Sequence, residues 1–331
     1  MRNPFALTLI ALVIMLILSM AIGSVFIPPA ELWRVISGSA DNETFRTILL
    51  DIRLPRTILI ALVGAALAGS GAAYQGLFRN PLADPYLIGV ASGAGLGAIL
   101  AMSIRWPYTT LGLLAVPMAA FITSLMTVYI VYTIAHIGGS VPTTNLILAG
   151  VAVSSFAISL TSFFMLRSTG EVRRAIGWML GGVSLVGWDA TLALIPYLAL
   201  GLVALILGSY SLNVLQFGDD QAAQMGLNVR RAKSIIIVAA SLVTAAAVSF
   251  AGIIGFVGLI VPHIVRIWWG VDYRRLIPLS LISGASVLLI ADVLARIVLA
   301  PQELPVGVVT ALAGAPFFLW VLRGAKHQGI W

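Results

Sequence analysis

The sequence predicts an all-α integral membrane protein of about ten transmembrane helices, and three observations predict it. Of 331 residues, 60% are hydrophobic and only 9% are charged, whereas a soluble domain carries about 25% charged residues. The mean hydropathy is +1.06, so in water the chain could not cover its own surface. The apolar residues are gathered into long runs, near the ~20 residues that a helix needs to cross a hydrocarbon core of roughly 30 Å. The bilayer is the solvent for most of this chain.

The first run, Phe5 to Phe26, follows Arg2. It exceeds the roughly 7–15-residue core of a signal peptide and no clear cleavage site follows, so it reads as a retained helix over 5–27. Further spans fall at 54–78, 86–104, 110–135, 144–166 and 191–215. The apolar stretch from Ser234 to Trp269 would measure about 54 Å as one helix, too long for one crossing. Gly252, Gly255, Gly258 and Pro262 lie inside it, so it divides into 234–252 and 256–269 around a glycine-rich turn. Such a turn is acceptable at membrane depth only where protein buries it. Spans at 276–300 and 305–323 complete a single domain over 1–331.

Ten spans put both termini on one side. With the N-terminus inside, ten Lys and Arg fall inside and nine outside, a weak bias. Both lysines, Lys233 and Lys326, fall inside and the acids lean outward, which places both termini in the cytoplasm. Gly64, Ala68, Ala72 and Gly76 repeat every fourth position, as do Gly89, Gly93 and Gly97, and Gly307, Ala311 and Ala315. Stripes of this kind let helices approach closely in lipid.

Several kinds of chemistry are excluded. No cysteine is present, which removes disulfides, thiolate metal sites and cysteine nucleophiles. No Gly-x-x-x-x-Gly-Lys-Ser/Thr loop occurs, so ATP energy has to come from a partner. His136, His263 and His327 make no metal-ligand spacing, and no metal or other cofactor is expected in this chain. The net charge of +7 resides in short loops beside apolar spans, which fits partner docking rather than nucleic acid. Asp292 is the one carboxylate placed within a span, and Arg296 one turn later suggests an ion pair rather than a proton relay.

The segment over about 216–233 is the most informative loop. Asp219 and Asp220 suit a helix start, Ala222, Met225 and Gly226 form a short semi-apolar face, and Gly226 suits the stop. A two-turn helix is not stable alone, so a cytoplasmic partner would order it. In the fifth span Ser155, Ser159 and Ser162 recur at helical spacing, opposite Ala157, Leu160 and Phe164. These hydroxyls could bond a neighbouring helix or line a water-filled path.

Nearly the whole chain resembles the FecCD-type permeases of bacterial ABC importers for iron chelates, haem and vitamin B12, a BtuC-like permease fold. The resemblance rests on Arg53-Leu-Pro-Arg56, Gly64-Ala-Ala-Leu-Ala-Gly-Ser-Gly71, Gln75 and Asn80-Pro-Leu-Ala-Asp-Pro85. It continues through Leu148-Ala-Gly-Val151, the loop from Gly218, Gly255-Phe-Val-Gly-Leu-Ile-Val-Pro-His263, Ala291-Asp-Val-Leu-Ala-Arg296 and Glu303-Leu-Pro-Val-Gly307.

The resemblance implies a non-catalytic subunit that pairs with a second copy of itself. Two cytoplasmic ATPases, which hold ATP and Mg, bind below, and an extracytoplasmic binding protein delivers a metal chelate from outside. It implies that Arg53, Arg56 and Arg296 dock glutamates of the binding protein. Asn80 and Leu82, with Thr143 and Thr144, would form the cytoplasmic gate. The loop with Gly218, Asp219, Ala222, Met225 and Gly226 would seat in the ATPase, and Ser155, Ser159 and Ser162 would line the path at the dimer centre. The cargo expected is an iron–siderophore or haem, with cobalamin as the alternative. An ion-coupled secondary carrier is the competing class, and the missing relay residues argue against it.

Overall fold

The computed structural model describes residues 3–23, 27–38, 43–104, 106–107, 109–136, 141–167, 172–183 and 187–327. Arg2 and the end of the first predicted span at 24–26 lie outside them. Among the described residues every regular element is helical.

Helix α1 (Pro4–Ala21) is capped by Asn3, whose Oδ1 accepts from the Phe5 amide at 3.1 Å. Its sides, including Leu9, Ile10, Val13 and Ile17, are exposed and suit lipid. Two short helices follow, α2 (Pro29–Ile36) and α3 (Glu43–Thr47). A wider π turn, Ile48–Arg53, then runs into α4 (Leu54–Leu77). The helical path thus begins about ten residues before the predicted span. Ile27, Leu32, Val35 and Leu49 bury one another there and seal this end.

The long apolar helices are α4, α6 (Thr110–Ala135), α7 (Thr143–Arg167), α9 (Trp188–Leu215), α11 (Val229–Ala251) and α13 (Tyr273–Ile297), together with α1. The shorter α5 (Val90–Met102) and α12 (Val257–Trp269), with α14 (Val306–His327), whose apolar part is Val306–Val321, supply the remaining three of the ten predicted spans. Two short helices lie between spans, α8 (Val172–Met179) and α10 (Asp219–Gln224).

Helix α4 is the centre, packed on α13, α11, α9 and α12. Its small residues do the work expected of them. A Cβ at Gly64 would sit in the carbonyl of Gly284, and one at Gly71 in the carbonyl of Gly258. Backbones that touch in this way recover in dispersion what the hydrophobic effect cannot give between helices in lipid. Gly93 and Gly97 of α5 likewise meet Thr127, Thr123 and Ala119 of α6. Thr123 also donates to the Gly93 carbonyl at 2.8 Å.

The predicted division of 234–269 is observed. Gly252 (φ +67°) ends α11 and Phe256 (φ +70°) starts α12. The turn is paired sideways. The Tyr86 hydroxyl donates to the Ile254 carbonyl at 2.8 Å and accepts from the Ile254 amide at 3.3 Å. The Gly182 amide donates to the Ala251 carbonyl at 2.8 Å. Protein thus takes up the broken backbone groups of Ala251 and Ile254, as membrane depth demands.

Candidate functional site: the two polar ends of the bundle

Polar contacts gather at two opposite ends and show which helix termini share a side. One end joins the C-termini of α1 and α13 to the N-termini of α4, α9 and α14. The other joins the C-termini of α4, α6, α9 and α12 to the N-termini of α11 and α13.

At the first end, three arginines face two acids. Asp292 is fully buried; its Oδ1 accepts from Arg56 Nε at 3.1 Å and Nη2 at 2.9 Å, and its Oδ2 lies 3.0 Å from Arg296 Nη2. The i,i+4 pair read from the sequence is therefore present, enlarged by Arg56. Arg56 Nη1 donates to Glu303 at 2.8 Å. Arg53 Nη1 donates to the Met20 and Ala21 carbonyls at 2.6 and 3.0 Å, and Arg296 donates to the carbonyl and hydroxyl of Ser19. The C-terminal carbonyls of α1 carry the negative end of its dipole. Two guanidiniums cap them.

This placement corrects the expectation that all three arginines face a docking partner. Arg53 is 6% exposed and Arg296 4% exposed, and their donors are engaged inside the protein. An uncompensated charge at this depth would be too costly, so carbonyls and Asp292 take it up. Only Arg56 borders open space. It lines a cleft of about 290 Å³ with Arg174, Trp178, Glu303, Leu304 and Pro305.

Along α7 the structure divides the two faces as the serine spacing does. Ser155, Ser159 and Ser162 are exposed, Ala157 is buried, and Leu160 and Phe164 are half-buried. Each serine donates back to the carbonyl four residues earlier, at 2.9 Å. The hydroxyls are thus satisfied within the helix and need no neighbouring helix.

At the second end, the turn after α4 holds Asn80 and Leu82. The Asn80 amide donates to the Gln75 carbonyl at 3.0 Å, and its Oδ1 accepts from the Leu82 amide at 2.9 Å. Asp84 then caps the 3₁₀ turn Pro85–Ile88 through the Tyr86 amide at 2.7 Å. Burial raises the Asp84 carboxyl to about 6. Thr143 is half-buried and Thr144 exposed in the first turn of α7. That helix lies close against the 3₁₀ turn, where a Cβ on Gly150 would meet the Leu87 carbonyl. The residues expected to form the gate, Asn80 and Leu82 with Thr143 and Thr144, therefore lie on neighbouring segments.

Gly218 (φ +103°) precedes α10, and Gly226 (φ +86°) ends it. The Leu227 amide bonds the Ala222 carbonyl and the Gly226 amide bonds the Ala223 carbonyl, the two crossed bonds of a Schellman stop. Asp219 pairs with Lys233 of α11. Met225 is 60% exposed, but Ala222 is fully buried. The expectation that Ala222 and Met225 share one outward face is corrected: Ala222 packs inward, and Ala223 to Gly226 are the outward residues.

Sequence reasoning missed the network that joins these helix ends. Gln75 Nε2 donates to the Leu259 carbonyl at 2.9 Å, and Arg266 donates to Gln75 Oε1 at 3.3 Å and to the Tyr273 hydroxyl at 3.1 Å. Asn213 accepts from the Tyr273 amide and donates to Asp272. Hydrogen bonds from Arg274 and Asn213 hold the Asp272 carboxyl down at about 2. Gln216 Nε2 donates to the Gly76 carbonyl at 3.0 Å. These pairs lie 2 to 191 residues apart, and of their residues only Gln75 and Leu259 stood within the quoted motifs.

A family model described as the FecCD transport family matches residues 11–324. The cobalamin import system permease protein BtuC of Halobacterium salinarum is 44% identical over 288 residues, covering 87% of this chain and 76% of that protein. The hemin transport system permease protein HmuU of Yersinia pestis is 38% identical over 337 residues, covering 99% and 97%. A solved structure described as a metal-chelate type ABC transporter in an inward-facing conformation superposes with a TM-score of 0.82 at 29% identity. It covers 97% of this chain and 98% of its own.

Proposed function

The chain belongs to the FecCD transport family and is a multi-pass membrane permease of the ABC-importer type, and from that premise we propose that its cargo is a metal chelate drawn inward. The supporting observation is the agreement among relatives named for haem and cobalamin and a structural neighbour named for metal chelates. Iron–siderophore or haem is the first reading. Cobalamin is the second, favoured by the 44% identity to BtuC.

In this reading two ATPase subunits, which bind ATP and Mg, seat on the outward residues of α10, with Met225 and Gly226 central. The second polar end is then cytoplasmic, as are both termini. A second copy of the chain meets the exposed face of α7, so that Ser155, Ser159 and Ser162 line a path that holds no fixed charge. A bulky chelate can slide along such a face without being retained. Asn80 and Leu82 with Thr143 and Thr144 close its cytoplasmic end. An extracytoplasmic binding protein docks over the cleft at Arg56, with Arg53 and Arg296 acting behind it to hold that surface. Bilayer lipid surrounds the dimer.

The test is uptake into proteoliposomes that contain this chain, its ATPase and its binding protein. ATP-dependent accumulation of ferric siderophore or haemin, above cobalamin, is the expected result. Cobalamin uptake alone would shift the cargo to the second reading. Uptake driven by an ion gradient without ATP would overturn the importer assignment.

A further inference from the structure

We propose that Gln216 and Arg79 form a strut that ties α10 to the Asn80–Leu82 turn, so that displacement of α10 is delivered to that turn without slack. The proposal rests on the reading of α10 as the ATPase seat and of Asn80 and Leu82 as gate residues. It makes Gln216 a positioning residue, acting on the gate through the end of α4.

The last carbonyls of a helix have no partner within it. The Gly76 carbonyl, at the end of α4, accepts from the Arg79 amide at 3.2 Å and is also met from outside: Gln216 Nε2 donates to it at 3.0 Å and to the Leu212 carbonyl of α9 at 3.0 Å. One side-chain amide therefore bridges the ends of α4 and α9. There is no room for these ends to slide. A Cβ on Gly76 would lie 2.8 Å from the Tyr273 ring and 3.0 Å from Leu212 Cδ2.

Beyond α4, Arg79 adopts φ +51°, a left-handed conformation that non-glycine residues seldom hold. Its guanidinium lies across the chain at Gly218, where a Cβ would stand 3.3 Å from Nη1. Arg79 thus lies beside the residue from which α10 starts. From Arg79 the route to the gate is short and bonded. The Asn80 amide holds the Gln75 carbonyl, Asn80 Oδ1 holds the Leu82 amide, and the Asn80 carbonyl accepts from Ala83.

On the other side α10 is no floating loop. Asp219 is ion-paired to Lys233, and Ala222 is buried. In the proposed strut, α10 presents Ala223 to Gly226 to the partner, and the chain from Gln216 and Arg79 leads to Leu82.

The chain has no native cysteine, so Leu82→Cys gives a single reporter and Gln302→Cys, on an exposed loop at the other end, a control. Maleimide labelling is measured on the purified full chain in micelles, with no partner present. Adding Gln216→Leu, which removes the bond to the Gly76 carbonyl, should raise labelling at position 82 about 3–10-fold, the effect of one lost hydrogen bond on a local opening. Arg79→Leu, which removes the guanidinium beside Gly218, should shift it in the same direction. Labelling at 302 should not change. Gln216→Lys, which keeps a donor at that reach, should restore the parent rate. Unchanged labelling at 82 in both leucine variants would overturn the strut. Equal rises at 82 and 302 would also overturn it, since they report general loosening.

With the ATPase reconstituted, Gln216→Leu should hydrolyse ATP while transport per ATP falls about tenfold, and Gln216→Lys should recover it. Full coupling in Gln216→Leu would overturn the proposal. If the parent chain moves no chelate at all, the functional reading fails, and the labelling result still decides the strut.

Discussion

Asp292→Asn is the sharpest test of the buried charge cluster. Asp292 is fully buried and serves two arginines, Arg56 at 2.9 Å and Arg296 at 3.0 Å. At an effective dielectric near 20, unit charges at about 3 Å attract by roughly 5 kcal/mol, most of which offsets desolvation. Removing the carboxylate leaves both cations facing a neutral amide, and breaking a buried pair from one side costs about 3–5 kcal/mol. Denaturant unfolding in detergent micelles should show that loss. Adding Arg296→Gln removes one stranded cation, so the double variant should be less destabilised than the sum of the singles by more than about 1 kcal/mol. A loss under about 1 kcal/mol for Asp292→Asn, or strict additivity, would refute the argument that Asp292 neutralises the cluster.

Three further outcomes are expected. Gly71→Ala drives a Cβ into the Gly258 carbonyl and should cost about 1–3 kcal/mol or more by forcing α4 from α12; Gly255→Ala, with nothing within 4 Å, should be silent in the same unfolding assay. Burial raises Asp84 to about 6 from 3.8, so the folded state binds its proton more tightly than the unfolded state. Its contribution is present below about pH 4 and lost as pH rises through about 6, by at most about 3 kcal/mol and less where solvent reaches the half-buried residue. Asp84→Asn, which keeps the acceptor for the Tyr86 amide, should flatten that part of the stability–pH curve. In the membrane, Ser155→Cys, Ser159→Cys and Ser162→Cys should react with water-soluble thiol reagents, while Ala157→Cys and Phe164→Cys should not. Equal labelling of both faces would remove α7 from the path.

The spans were legible because lipid imposes one simple rule, a run of apolar residues long enough to cross. The break in 234–269 was legible for the same reason, since no single crossing could hold it. The end of α10 was readable at Gly226, where a left-handed stop needs glycine. Side-chain direction was less readable. Ala222 looked like part of an outward face because the helix is too short to have a period of its own, and packing on α9 and α11 turned it inward. Arg53 and Arg296 were expected at a docking surface because the family resemblance implied it, although the Asp292–Arg296 spacing already pointed to an internal ion pair. Nothing local shows that the carbonyls of Ser19, Met20 and Ala21 end at the same height and accept them. The Gln216–Gly76 and Arg266–Tyr273 contacts depend on which helix ends meet, which the fold decides and a linear pattern does not.

The clasp of Tyr86 on Ile254 also bears on electrical tightness. A resting potential near 100 mV acts on each crossing charge with roughly 2.3 kcal/mol. A kinked helix with bare amides and carbonyls would invite a file of water, along which protons could hop. One phenolic hydroxyl occupies both polar groups of Ile254, and Gly182 occupies the carbonyl of Ala251. Water finds no foothold at those atoms. Those polar groups at the break are thus occupied by the fold itself, with no bound water required there.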